Sequence, residues 1–229
     1  MIIGTNNGIF HRIANDRLNN QVMGQIYQLE TTALEFVCLD ENYLDKLLEF
    51  DLKKEYQYLS LHAPGGGYQD NDYSINIINK IQKLQQKFNF SNIVIHYCEV
   101  KDFKWLNQFK NLPISLENED QTKPKGQSVA EMAKILDQYD FKLTLDLNHC
   151  YVNDQKMELA NDFWDKFKDK IAEFHLSGYK NSTNNHWPLF KTKQDIIIDF
   201  LKDKKRPIII ESVFEEFAEA AKEIEYINK

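Results

Sequence analysis

Eight side chains that can bind a metal or move a proton stand at corresponding places along the sequence, each at or just beyond the end of a short apolar run. His62 ends YLSLH, His96 ends IVIH, Glu117 ends PISLE and Glu211 ends PIIIE. Asp146 and His149 lie together in LTLDLNHC, His175 lies in AEFHLSGY, and His186 follows in NNHWPLF. Of the six histidines, His11 alone falls outside this pattern. Imidazole and carboxylate together are a donor set for zinc or manganese. Carboxylates gathered in one place repel one another, and a buried unpaired charge costs several kcal/mol. A divalent cation removes both penalties. Taken singly, each residue has a plainer reading. A strand-end histidine is commonly a hydrogen-bonded structural residue, and an Asp or Glu there caps the next helix. Recurrence over six successive runs favours a shared metal site of Glu117, Asp146, His175 and Glu211. His62, His96, His149 and His186 are then further metal ligands or substrate contacts. Cys98 and Cys150 flank two of these histidines and read as structural.

For residues so distant in sequence to meet, the runs they end must be strands whose ends share one mouth. The strand candidates are Met1–Thr5, Gln25–Glu30, Tyr58–His62, Ile93–His96, Pro113–Glu117, Lys142–Leu147, Ile171–Leu176 and Pro207–Glu211. They recur about every 29 residues, a usual length for one βα unit of a barrel. Leu34–Leu39 competes with Gln25–Glu30 for the second strand. Several runs are almost continuously apolar, as strands buried on both faces are. The intervening stretches carry helical spacing: Ile75, Ile78, Ile81, Leu84 and Phe88; Val129, Met132, Ala133, Leu136 and Tyr139; Phe214, Phe217, Ala221 and Ile224. Ser128 and Glu131 have the pattern of a capping box.

Alternating β and α segments imply a parallel sheet with right-handed crossovers. Eight units within 229 residues favour one closed (β/α)8 TIM barrel domain over residues 1–229. In such a barrel the C-terminal strand ends open into a common mouth. No glycine-rich turn follows the first strand, which weighs against a dinucleotide-binding fold.

The composition is that of a soluble globular protein, 42% apolar and 28% charged. No apolar run approaches the roughly 20 residues that span a bilayer. The first residues lack a basic segment followed by a long apolar one, so a cytoplasmic location without membrane contact is expected. A net charge of −7 weighs against a protein devoted to gripping phosphate backbones. Cys38, Cys98 and Cys150 have no paired spacing and are expected to be reduced thiols.

In this setting the sequence resembles the xylose-isomerase-like TIM barrels, a superfamily that includes sugar isomerases, sugar epimerases and endonuclease IV. The resemblance runs from about Tyr58 to the C-terminus. It rests on D-x-x-H from Asp146 to His149, on His175, and on H-x-P-L from His186 to Leu189. In the isomerase and epimerase branch it implies one Mn- or Mg-like ion on Glu117, Asp146, His175 and Glu211. Glu117 and Glu211 would be the catalytic carboxylates, moving protons on opposite faces of a sugar through an enediolate. His62, His149 and Trp187 are candidate substrate contacts, with Tyr68 a further ring for stacking. In the endonuclease IV branch the resemblance implies three zinc ions, with His62, His96, His149 and His186 as additional ligands, and hydrolysis at abasic sites in DNA.

Departures from both branches stand in the sequence. Asn184 replaces an Asp of the trinuclear pattern, and Lys123 and Asn181 replace a sugar-contacting carboxylate and arginine. Arg12 and Arg17, in the first βα unit, are candidates to touch a phosphate; Lys123 and Lys125 are further candidates, with a solvated loop pair as their plainer reading. The small barrel, its acidic charge and its three arginines favour a metal-dependent isomerase or epimerase of a small sugar or sugar phosphate. The alternative is the zinc phosphodiesterase, with nucleic acid as partner. Either reading expects one to three divalent ions (Mn, Mg or Zn) and leaves the oligomeric state open.

Overall fold

Apolar runs and amphipathic stretches alternate along the chain, and the structure follows that alternation. A computed structural model describes residues 2–180 and 186–229. The strands are β1 (Ile3–Asn6), β2 (Ala33–Val37), β3 (Tyr58–His62), β4 (Asn92–His96), β5 (Ile114–Glu117), β6 (Lys142–Asp146), β7 (Ile171–Leu176) and β8 (Ile208–Ile210). Each pairs in parallel with its neighbours in sequence, and β1 also pairs with β8, so the sheet closes into a barrel. The helices between them are α1 (Asn20–Gln28), α2 (Glu41–Glu49), α3 (Asp72–Phe88), α4 (Phe103–Leu106) and α5 (Val129–Leu136), followed by α6 (Leu147–Asn153), α7 (Glu158–Phe167), α8 (Leu189–Thr192), α9 (Asp195–Leu201) and α10 (Ala218–Ile227). No helix among the described residues is long and apolar enough to cross a membrane.

Local chemistry fixes several helix starts. Asn19, Asp40, Asn71 and Ser128 each accept a backbone N–H from the first turn of α1, α2, α3 and α5. The box expected at α5 is only half formed, because the Glu131 carboxylate takes the Gly126 N–H instead. Gly4 lets β1 approach β2, since a Cβ there would fall 2.0 Å from the Ala33 carbonyl oxygen.

Four expectations need correction. The second strand is Ala33–Val37, within the competing run, while Gln25–Gln28 belongs to α1. Val22, Met23 and Ile26 form the buried stripe of that helix, and Asn19 caps it. On α3 it is Ile77 that packs inward, whereas Ile75 is 40% exposed. On α10 the buried stripe is Ala220, Ile224 and Ile227, and Ala221 is exposed.

The last correction concerns most of the strands, which alternate, while β8 (Ile208–Ile210) is continuously apolar as expected. Their outward side chains pack under the helices. Phe36 meets Phe50, Phe88 and Phe90, and Phe174 meets Trp164 and Phe200. Their inward side chains are largely polar and touch across the barrel. Ser60 donates to Glu35 at 3.3 Å, and the Asn92 amide donates to Glu173 at 2.8 Å and to Thr144 at 3.1 Å. The hydroxyls of Ser115 and Thr144 lie 2.6 Å apart. An interior of Val, Ile and Leu layers is the usual barrel filling; here a polar column takes its place.

Register sets the heights of the strand ends. His96 stands opposite Glu117 across β4 and β5, and Asp146 stands opposite His175 across β6 and β7. Asp146 reaches that level through a register shift at Leu143/Thr144.

Candidate metal centre

Glu117 is the hub of the mouth. It ends β5, is 1% exposed, and presents its two oxygens in different directions. Oε1 lies 3.0 Å from His175 Nδ1. Oε2 lies 3.1 Å from His62 Nε2 and 3.2 Å from His96 Nδ1. Two groups of donors therefore meet on one carboxylate. In the first, one donor atom each from Glu117, Asp146, His175 and Glu211 all lie within 4.8 Å of one another. In the second, His62, Glu117 and His175 satisfy the same limit. His96 stands beside this second group, its ring 4.8 Å from that of His62, with Glu119 Oε2 3.3 Å from its Nδ1.

Outer partners aim these ligands. His62 Nδ1 lies 3.3 Å from its neighbour's carbonyl, Ala63 O, which turns Nε2 toward Glu117. His149 Nδ1 donates to the Asn118 carbonyl at 2.7 Å, leaving Nε2 for the cavity. Asn118 also clamps the backbone of Asp146, accepting its N–H at 2.7 Å and donating to its carbonyl at 3.0 Å. Asp146 Oδ1 caps α6 through the His149 N–H, while Oδ2 is buried with no hydrogen-bond partner. Asn6 donates to Glu211 Oε1 at 3.0 Å. Carbonyls and amides that orient ligating imidazoles and carboxylates are the usual surroundings of a metal. The orphaned Asp146 oxygen and the mixed N/O donors fit a divalent cation.

The electrostatics say the same. Burial opposes charge on His62, but the hydrogen bond and charge of Glu117 outweigh it and push its pKa up to about 9. Burial opposes charge on His149 too, and Asp146 and Glu117 bring it to about 9. His175 is raised well above the ordinary value against its burial, with Glu211 the leading counter-charge. Burial would raise Glu117 and Glu211, yet the histidines hold Glu117 well below the carboxylate range and Glu211 at about 2. Asp146 is raised, chiefly by burial. Protonated imidazoles thus occupy the electrostatic role that a cation would otherwise fill.

The mouth encloses a cavity of about 300 Å³ lined by His62, His96, Glu117, His149, His186 and Glu211. His186 lies at the rim, its Nδ1 3.1 Å from Ser177 Oγ and 3.9 Å from Glu211 Oε2, with its ring 6.3 Å from that of His149. Asp146 and His175 sit beneath, closing the floor. Seven of the eight expected residues are thus linked through Glu117, Glu211 and His149, with His186 completing the set.

Other expected residues fall elsewhere. Trp187 does not line the cavity; its ring lies between Arg12 and Lys180, 5.3 Å and 4.4 Å from their charged groups. Tyr68 is core, its hydroxyl donating to the Pro64 carbonyl. Lys123 is exposed, and Lys125 is held by the Val100 carbonyl and the rings of Tyr97 and Phe103. Asn181 and Asn184 lie outside the described residues. Cys38, Cys98 and Cys150 are buried free thiols.

Several residues escaped the sequence reading. His11, set aside there, lines the cavity, as does Arg17. Asn6, Asn118 and Glu119 act through the ligands, and the polar run after β5 (ENED) was the available sign of the last two. Glu35 and Glu173 lie below His175, with Oε2 of Glu35 3.2 Å and Oε1 of Glu173 3.4 Å from its Nε2. A larger cavity of about 480 Å³ opens at the opposite end of the barrel, beside Tyr58, Asn92 and Arg206. None of the donor groups among the described residues includes a residue of its wall.

No family model matches the sequence, and no curated protein matches it. Solved structures do resemble the fold. 3-Keto-D-glucoside 4-epimerase from E. coli aligns over 100% of this chain and 99% of its own, with a TM-score of 0.64 and 12% identity. Endonuclease IV from Thermus thermophilus aligns over 100% and 98%, with a TM-score of 0.65 and 12% identity. A xylose isomerase domain containing protein from Salmonella typhimurium aligns over 99% and 96%, with a TM-score of 0.65 and 11% identity. The chain thus has the fold of the xylose-isomerase-like TIM barrels, the superfamily its motifs resembled.

Proposed function

We propose that this barrel is a divalent-metal-dependent enzyme with a carboxylate-bridged centre, and that it hydrolyses the phosphate ester of a small substrate. The observation that carries the reading is the division of Glu117, one oxygen toward His175 and the other toward His62 and His96. A carboxylate engaged on both oxygens and held strongly acidic is a better bridging ligand than a proton carrier. Glu117, Asp146, His175 and Glu211 would hold one ion, and His62, His96 and the second Glu117 oxygen another. His149 and His186 face each other across the rim and supply donors for a third.

Divalent ions held there supply Lewis-acid stabilisation to a phosphoryl group under attack. The chain does the positioning. Asn6 fixes Glu211, Asn118 fixes both Asp146 and His149, and the Ala63 carbonyl fixes His62. His186, the most exposed of these histidines, stands nearest the opening. A cavity of about 300 Å³ admits a small ester and no length of duplex.

A second reading, an isomerase or epimerase of a sugar or sugar phosphate using one ion, is favoured by the same small cavity and by the four-residue group alone. In it Glu117 and Glu211 exchange protons with carbons beside a carbonyl. One experiment separates the two. Metal content of protein purified without chelator is measured, together with hydrolysis of bis-p-nitrophenyl phosphate and an abasic-site duplex. Two or three zinc ions per chain with chelator-sensitive ester cleavage are expected. One manganese or magnesium ion, no cleavage, and deuterium uptake from solvent into a ketose would overturn the hydrolase in favour of the isomerase. Cleavage of the duplex in preference to the small ester would keep the metal chemistry and replace the substrate.

A further inference from the structure

The wall of the cavity beside Glu211 comes from the loop between β1 and α1, and it carries a cation that makes no ion pair among the described residues. Arg17 lines the cavity together with Gly8 and His11. Its backbone N–H donates to the Tyr43 hydroxyl at 2.8 Å, so the backbone here is anchored from α2. Among the described residues its guanidinium makes no ion pair and donates no hydrogen bond. The neighbouring carboxylate, Asp16, is turned away to Lys46 at 3.4 Å and to the Leu18 N–H. The other two arginines are satisfied. Arg12 meets Glu215 at 3.4 Å and lies over Trp187, and Arg206 donates to the carbonyls of Ile171, Lys168 and Lys205.

A half-buried guanidinium offers five N–H donors in a planar fork and cannot shed its proton, so it calls for an anion with paired oxygens. Burial depresses the Arg17 pKa, which measures how poorly its charge is solvated in the protein alone. The loop is built against this group, since a Cβ on Gly8 would lie 2.8 Å from Arg17 Nη1 and 3.1 Å from Asn6 Oδ1. Asn6 in turn accepts the Gly8 N–H at 2.8 Å and donates to Glu211, so the loop and the metal ligand are fixed relative to each other. His11 Nδ1 donates to the Gly8 carbonyl at 3.0 Å, so its Nε2 donates to an anion only when the ring is protonated.

We infer that Arg17, with His11 beside it, forms a phosphate subsite that grips an anionic group of the substrate in the cavity that Glu117 lines. The inference rests on the proposed reading of this cavity as the place where substrate binds. It adds that the substrate carries a phosphate which the loop recognises.

The test is the affinity of the metal-loaded protein for inorganic phosphate, by calorimetry, in the wild type and in Arg17→Gln, Arg17→Lys and Arg12→Gln. Arg17→Gln is expected to weaken phosphate binding about tenfold or more, the scale of a charge-assisted hydrogen bond. Arg17→Lys should lose part of it, Arg12→Gln should lose none, and metal content should stay at the wild-type value throughout. Phosphate binding by Arg17→Gln within about twofold of wild type, equal losses in Arg12→Gln, or no binding by wild type would overturn the subsite. Arg17-dependent phosphate binding in a protein with a single ion and no esterase activity would instead sink the hydrolase and keep the subsite.

Discussion

Two layers of buried carboxylates lie one above the other inside the barrel and meet at a single imidazole. Above are Glu117 and Glu211, facing His175 Nδ1; below are Glu35 and Glu173, facing its Nε2. Glu117, Glu35 and Glu173 are each within 1% of complete burial, so burial does not distinguish the layers. Their neighbours do. Four histidines and an asparagine serve the upper pair, and its carboxyls stay ionised far into acid. The lower pair has a serine hydroxyl and one amide, and burial lifts Glu35 to about 7 despite the opposing pull of His175. The donors around a buried carboxylate decide whether it is held ionised or pushed toward its neutral form.

The sharpest test of that contrast is a neutral isostere in each layer. Glu117→Gln should abolish turnover and release metal, a loss beyond the roughly 100-fold that outer partners command. Glu211→Gln should do the same. Metal analysis of the purified variants checks both, and a fully loaded Glu117→Gln protein would erase the distinction between the layers. Next in size is Asn118→Ala, which frees Asp146 and His149 together. Metal affinity should fall by about 10- to 100-fold, read by chelator competition.

The upper layer also sets a pH dependence. His62 and His149 stand at about 9 in the folded, metal-free protein against an ordinary 6.5. Their contribution to stability is complete below pH 6.5 and is lost as pH rises through about 9. Zinc affinity must run the opposite way, because the same imidazoles shed protons to bind metal. Thermal unfolding in chelator and zinc titration across this window should therefore give opposed slopes.

The smallest effect belongs to the lower layer. Glu35→Gln should keep its metal and most of its activity. Glu35 is raised to about 7 in the fold, so the wild type loses stability as pH climbs from the ordinary carboxylate range through about 7. The Gln variant should lack that slope and show its gain in melting temperature only on the alkaline side. Equal gains at acid and alkaline pH would mean that repacking, rather than charge, is responsible.

The upper layer was legible in the sequence and the lower was not. Strand-end donors such as His62, His96 and Glu117 punctuate apolar runs, and a barrel converts that position into a common mouth. Glu35, by contrast, lies inside LEFV, where one charge among apolar residues resembles a break in the pattern; the helix-borne Ile26–Tyr27 looked more strand-like and displaced it. Ser60, Asn92, Ser115 and Thr144 are small polar residues whose alternation registers weakly beside Leu, Ile and Val. His11 and Arg17 were hidden for another reason. They sit on a loop, and the way a loop folds back over a mouth has no periodicity to read.

The closed parallel ladder has one more consequence, for the kinds of change this chain can tolerate. Every donor on a strand end owes its inward aim to a count of residues along that strand, and side chains reverse direction with each step. Deleting one residue within β5 would swing Glu117 out toward the helices and bring an apolar neighbour into the mouth. Deleting one from the partly exposed connection at 51–54 should leave the strand ends in register. In lineages descended from such a barrel, strand lengths should therefore behave as fixed integers, while lengths of the connections facing the N-terminal end drift freely.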